Sequence, residues 1–167
     1  QIEEWDLVLV DFWAEYHGYA ADITRVFPVW KISSRQQAVY DWVVAVKKYA
    51  QSIIRPWIKK SDFEELVRTK MEDVLVSLNL IDSDASEEDR TRLGRIYYPH
   101  STSHFLGLDV HDVGARDTIL APGMVITCEP WIYILDEWIW VRLEDDILVT
   151  ETGNENLSQA IPIIWEK

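Results

Sequence analysis

Five side chains of the kind that hold hard cations are spread over most of this chain. They are Asp11 and Asp22, eleven residues apart, His104 inside HSTSHFLGLDVHDVG, Glu129 inside TCEP, and Glu144 inside VRLEDD. A fold that uses them together must return segments from both ends of the sequence to one place. Four carboxylates and one imidazole meet the demand of a two-cation hydrolytic centre. Two cations roughly 3.5–4 Å apart repel, so such a centre needs several carboxylates, some of them bridging, with room for a water between.

Taken singly, each residue has an ordinary explanation. An Asp in a strand is usually an edge or turn residue, and a lone His is more often half-buried and hydrogen-bonded than a ligand. The context argues otherwise. His100, His104 and His111 fall within twelve residues. Glu129 sits in the apolar run MVITCEP, where an ionised carboxylate is costly unless it is paired or bound to a cation. Glu144, Asp145 and Asp146 would ordinarily be a solvated strand end, but Ile139, Val141, Leu143 and Ile147 surround them.

At 167 residues with 48% hydrophobic content, the chain can bury one substantial core, and it is read as one domain over residues 1–167. A net charge of −13 argues against nucleic acid or an anionic membrane as partner, because phosphates are held by clustered Lys and Arg. No apolar run approaches the roughly 18 residues of a membrane span. The single Cys128 fits a reducing compartment, and the expected location is cytoplasmic. Residue 1 is Gln and a strand begins almost at once, so an N-terminal part of the domain is expected to be missing.

The hydropathy pattern predicts an α+β order. LVLVDF and the segment Tyr16 to Phe27 read as strands joined by a turn near Glu15 to Gly18, which would set Asp11 opposite Asp22. Ser33-x-x-Gln36 is a capping-box start for a helix with Val39, Tyr40, Val43, Val46, Ala50, Ile53 and Ile54 on one face, ended by Pro56. Ser61-x-x-Glu64 opens a second helix carrying Phe63, Leu66, Val67, Val74, Leu75 and Leu78, with a polar loop from Asp82 to Asp89 behind it. Beyond Pro99 strands and turns are expected: the His-rich segment, MVITCEP, WIYIL, VRLEDDILVT and a final IPII.

The blocks DLVLVDFWAEYHGYAADITRVFPV, HSTSHFLGLDVHDVG, LAPGMVITCEPWIYI and VRLEDDILVTETGNENLS resemble the signature segments of the pita-bread metallopeptidases, in the branch of the Xaa-Pro aminopeptidases and prolidases. HDVG and VRLEDD separate that branch from the methionine aminopeptidases. The resemblance covers nearly the whole chain. It implies a partial pita-bread fold, a curved and mostly antiparallel sheet with helices on its outer face. Asp11 and Asp22 match the first two ligands, with Asp22 bridging. His104 and Glu129 match ligands of the second metal, and Glu144 matches the second bridge. Glu129 is in addition the candidate proton shuttle, and His111 the group that stabilises the tetrahedral intermediate. His100 and Arg142 fall on positions close to the site. The resemblance implies two divalent ions, with manganese favoured and cobalt, zinc or iron compatible, and a peptide substrate with proline second. It is compatible with a homo-oligomer of the full-length protein. Prolidase activity on Xaa-Pro dipeptides and a catalytically silent binding module are the alternatives, the latter expected to have lost ligands.

Trp5, Trp13, Trp57, Trp131, Trp138 and Trp140 depart from that pattern, standing where the resemblance calls for glycine, and Trp30 is a seventh candidate. In a Pro-Gly turn the second residue needs φ > 0, which strains any other residue by roughly 1–2 kcal/mol. Glycine at ~7% would give about 12 residues in a chain of this length, the chain has 6, and exchanging six tryptophans restores the balance. This is the pattern left when UGA codons are translated as Trp although the source organism decodes them as Gly. If instead the tryptophans are genuine, Trp13, Trp131 and Trp140 are expected to crowd the metal cleft. A chain carrying them is expected to fold poorly, and one lacking the N-terminal part of its fold to present an unpaired sheet edge and apolar surface.

Overall fold

In a computed structural model of the chain, residues 1–163 are described. Strand β1 (Leu7–Phe12) pairs antiparallel with β4 (Ile23–Pro28), and the short strands β2 (Glu15–Tyr16) and β3 (Tyr19–Ala20) form a small hairpin between them. Three helices follow: α1 (Ser34–Ile53), α2 (Lys60–Ser77) and α3 (Glu87–Tyr97). The second half supplies β5 (Val125–Cys128), β6 (Trp131–Ile134), β7 (Ile139–Arg142), β8 (Asp145–Val149) and β9 (Asn154–Asn156). β5, β8 and β9 make a three-stranded sheet in that order and β6 pairs with β7, every pairing being antiparallel. The α+β class follows, with the strands in four small sheets among the described residues.

Helix α1 lies against β5, β6 and β7, with α2 packed on α1 and α3 on α2. The core sits between the helices and the strands. Val39, Val43, Val46 and Ala50 of α1 meet Phe63, Val67, Met71 and Leu75 of α2, and the strands add Ile126, Ile132, Val141 and Ile147, all without exposed surface. Complete burial of a side chain of this size contributes about 1.5–3 kcal/mol. The expected capping box of α1 is present, Ser33 and Gln36 satisfying each other's backbone N–H groups.

Elsewhere the pattern reading needs correction. Helix α2 starts at Lys60 with no side-chain cap, so Ser61 lies inside the first turn. Leu66 is exposed, and Met71 takes the interior place. Within the polar stretch after α2, Ser86 accepts the N–H of Asp89 and starts α3, a helix whose mostly charged face hid it from a periodicity search. The His-rich segment forms only isolated bridges. β9 was not expected, Ile161 to Ile163 are not strand, and Ile164 lies outside the described residues.

The first hairpin differs too. Asp11 is registered with Thr24, not Asp22, because the β2–β3 hairpin intervenes. His17 and Gly18 at its tip have φ of 52° and 83°, the pair of positive values that a two-residue type I′ turn requires. Asp22 thus sits just before β4. Val10, Phe12, Tyr16, Tyr19 and Phe27 are exposed apolar residues of this region.

Four non-glycine residues have positive φ among the described residues, and two of them are tryptophans singled out above: Trp57 at 71° and Trp138 at 53°. Trp57 follows Pro56 in a turn closed by the N–H of Ile58 on the carbonyl of Arg55, where a type II geometry places glycine. Both side chains are exposed, by 71% and 81%, and Trp138 stacks on the half-exposed Trp140, so little burial offsets the strain. Trp131 is different: it lies in β6 with ordinary φ, so the expected turn strain is absent there. W57G and W138G should each raise the melting temperature, by roughly 2–4 °C per kcal/mol of strain relieved. W42G should lower it, since Trp42 lies inside α1 and packs on the core. Calorimetry of the three variants checks the contrast, and destabilisation by all three would contradict it.

Candidate metal centre

The elements described above converge on one point. β1 supplies Asp11, the entry to β4 supplies Asp22, the loop before β5 supplies His104, the residue after β5 is Glu129, and the junction of β7 and β8 supplies Glu144. Ligand atoms of Asp11, Asp22 and Glu144 all lie within 4.8 Å of one another, as do those of His104, Glu129 and Glu144, and those of Asp22, His104 and His111. All five expected ligands are therefore brought together. Glu144 belongs to the first two groups and Asp22 to the first and third, the placement that bridging carboxylates need. His104 Nε2 is 3.4 Å from Asp22 and 3.5 Å from Glu129. Its Nδ1 lies 3.0 Å from the carbonyl of Phe105. Donation from Nδ1 to that carbonyl leaves Nε2 as the inward-facing donor atom.

Around these residues lies a supporting layer that motif reading did not find. Thr127 Oγ1 accepts the His104 N–H and donates to Glu129. The carboxylate of Glu64, on α2, takes the N–H of Thr102 and the hydroxyl of Ser103, and Lys60 joins Glu64 to the Ser103 carbonyl. These bonds pin the His-bearing loop to a helix. Asp146 accepts the N–H of Asp22, and the hydroxyl of Thr24 lies between Arg142 and Glu144. Asp145, between two site acids in sequence, is buried with Arg25 and Lys47 in a compact ion cluster that Asn156 completes. The expectation that Glu144 to Asp146 form an interior cluster holds, all three being buried, but Asp145 is neutralised by protein cations.

The centre opens on a depression of about 600 Å³ walled by Trp13, Val110, His111 and Arg142, continuous with a cleft of about 740 Å³ that reaches His100, Tyr98 and Trp131. His111 stands edge-on to His104, ring centres 4.3 Å apart. His100 meets the edge of Trp131, 5.3 Å away. Arg142 donates to Asp11, Thr24 and Tyr133, which orients its guanidinium along the wall. Trp131 is buried, stacks on Tyr133, and its indole N–H has no acceptor among the described residues. Two of the three tryptophans expected to crowd the cleft do line it. Trp140 does not, lying instead beside Tyr133 and Trp138.

Too many acids share this volume for the cations present. Burial raises the proton affinities of Glu129 and Glu144 well above the carboxylate range, and their mutual repulsion adds to the rise at Glu144. Burial likewise pushes Asp146 up to about 7. At His104 burial opposes the charge, but Asp22, the Phe105 carbonyl, Glu129 and Glu144 outweigh it and raise the pKa. A site whose carboxylates hold protons for want of positive charge suits divalent cations, and the oxygen-rich donor set with one imidazole fits them. The sign of the pH effect follows. Between the unfolded carboxylate value near 4 and the raised folded values, the native chain binds more protons than the unfolded one, so stability falls as pH rises. The raised His104 acts in the same direction. In EDTA the melting temperature should drop from pH 5 to 8, and saturating Mn²⁺ should shrink or reverse the drop. A melting temperature that climbs with pH in EDTA would contradict this.

Residues 1–151 match metallopeptidase family M24. The Xaa-Pro aminopeptidase of Escherichia coli (strain K12) is 40% identical over 174 residues, an alignment covering 96% of this chain and 40% of the relative. That of Haemophilus influenzae is 40% identical over 176 residues, with the same coverage. Among solved structures, aminopeptidase P from E. coli with the inhibitor Pro-Leu superposes with a TM-score of 0.90 at 39% identity, covering 99% of this chain and 40% of that one. Proline aminopeptidase P II from Yersinia pestis superposes with a TM-score of 0.87 at 39% identity, over 99% of this chain and 41% of that one. The chain thus spans about 40% of the length of the relatives it matches. Its fold is the pita-bread fold of these structures, and the chain belongs to metallopeptidase family M24.

Proposed function

We propose that this chain is the catalytic part of a dinuclear Xaa-Pro aminopeptidase, releasing the N-terminal residue of peptides with proline second. The observation that carries the reading is the pair of ligand groups joined by Glu144 at the floor of an open cleft. The activity of the Escherichia coli and Haemophilus influenzae relatives, Xaa-Pro aminopeptidases, supports the substrate class. Asp11, Asp22 and Glu144 would hold one cation and Asp22, His104, Glu129 and Glu144 the other, manganese being the proposed ion. Bound there, two divalent cations supply Lewis acidity and lower the pKa of a bridging water.

The chain's own residues do the rest. Glu129, whose burial favours the protonated form, accepts the proton of the attacking water and delivers it to the proline nitrogen, which must be protonated to leave. His111, exposed on the cleft side of His104, donates to the oxygen of the scissile carbonyl as it gains charge. His100 and Arg142 line the wall along which the substrate lies. The single, buried Cys128 suits the cytoplasm as the working compartment. Trp57 and Trp138 at positive φ, and Trp131 in the cleft wall with its N–H unpaired, support reading the six tryptophans as UGA-encoded glycines. UGG codons at those positions would end that reading.

With the six positions restored to glycine in the full-length protein, hydrolysis of an Xaa-Pro-Xaa tripeptide should far exceed that of its Xaa-Ala counterpart. Equal rates would refute the specificity, and activity confined to dipeptides would identify a prolidase. Glu129→Gln should lower kcat by on the order of 10²–10⁴-fold. Asp22→Ala and Glu144→Ala should each lose both cations by elemental analysis. Full metal content in Asp22→Ala would contradict its bridging role.

A further inference from the structure

We propose that Thr24 is a positioning residue of the metal centre, its hydroxyl relaying the charge of Arg142 to Glu144 and orienting that carboxylate for cation binding. This rests on the dinuclear reading above. Thr24 has no exposed surface. Its Oγ1 lies 2.9 Å from Arg142 Nε and 2.5 Å from Glu144 Oε2. Arg142 Nε itself is 3.9 Å from the same carboxylate oxygen, an ion-pair distance beyond hydrogen-bonding reach, so the hydrogen-bonded link between the two charged groups runs through the hydroxyl.

The direction of the bonds is forced. A guanidinium can only donate, so the hydroxyl accepts from Arg142, and its single proton must go to Glu144. Glu144 Oε2 therefore accepts this bond, which fixes the carboxyl group in rotation and leaves its remaining lone-pair positions available to the centre. The backbone secures the geometry, since the Glu144 N–H donates to the Thr24 carbonyl at 3.1 Å and Arg25 binds the carbonyls of both residues. Asp11, cross-strand partner of Thr24, also accepts from Arg142. One threonine thus links the two acids that open and close the ligand series.

Metal-free chain is titrated with Mn²⁺ against a chromogenic chelator, alongside T24V, T24S and T24A, with the melting of each followed. T24V, which keeps the shape and removes the hydroxyl, should bind on the order of 10–100-fold more weakly, the usual loss for a residue supporting a ligand. T24S should stay within about threefold of the parent. If T24V does not melt cooperatively, T24A against T24S carries the same contrast. Parental affinity in T24V, or equal weakening in T24S and T24V, would overturn the assignment. A parent chain that binds no Mn²⁺ would overturn the dinuclear reading as well, which tells the two failures apart.

Discussion

The concentration of carboxylates in a small buried volume is the constraint on which the rest of this structure depends. Asp22, Glu144, Asp145 and Asp146 are all nearly inaccessible, and Glu129 is largely so. An isolated buried carboxylate is among the costliest groups a fold can contain. Two solutions operate side by side. Asp145 is neutralised within the protein by Arg25 and Lys47. Glu129 and Glu144 have Arg142 and His104 beside them, too little positive charge to offset burial, and their proton affinities are raised. The alternation of β8 separates these fates, turning Asp145 toward α1 while Glu144 and Asp146 face the centre. Three consecutive acids thus divide into a member of an internal ion cluster, a candidate cation ligand, and an acceptor that holds the Asp22 backbone.

This division bears on what could be read from the chain. The candidate ligands were legible because acids in apolar segments have no inexpensive structural role, and four carboxylates together with one imidazole leave few alternatives. A turn near Gly18 and the capping box of α1 were legible because local chemistry determines them, whereas the separate β2–β3 hairpin around that turn was not. Thr24, Arg25 and Lys47 were not, since each acts on a residue more than 95 positions away and none belongs to a local pattern. Helix α3 escaped for another reason: with Gly94 its only fully buried position, it has almost no apolar stripe to find.

The tryptophans are conflicts of a different kind, since each local rule they break points toward the same substitution. Trp57 and Trp138 occupy backbone conformations that suit glycine and expose large apolar rings. Trp131 places an indole N–H in the interior without an acceptor among the described residues, a cost of about 1–3 kcal/mol beyond any steric effect on the cleft. Natural sequences tolerate one or two such conflicts where function requires them. These serve no visible function, and glycine removes all three. Asn79, also at positive φ, shows the contrast: it follows the end of α2, where Asn commonly terminates a helix.

The start of α2 is where a local rule gives way to the site. Ser61-x-x-Glu64 has the form of a capping box, and a satisfied cap stabilises a helix by about 1 kcal/mol. The helix instead begins one residue before Ser61, without a side-chain cap, because Glu64 turns away from the helix backbone to hold Thr102 and Ser103. Lys60 is drawn in by the same loop, and stays buried only because Glu64 and the Ser103 carbonyl receive its charge. Thr102 and Ser103 immediately precede His104, and Thr102 also receives the N–H of Glu129. Two candidate ligands are therefore placed by a carboxylate that local chemistry would have assigned to its own helix. The missing cap is the local cost of fixing His104 and Glu129 relative to a rigid element, and fixed ligands are what a dinuclear site requires.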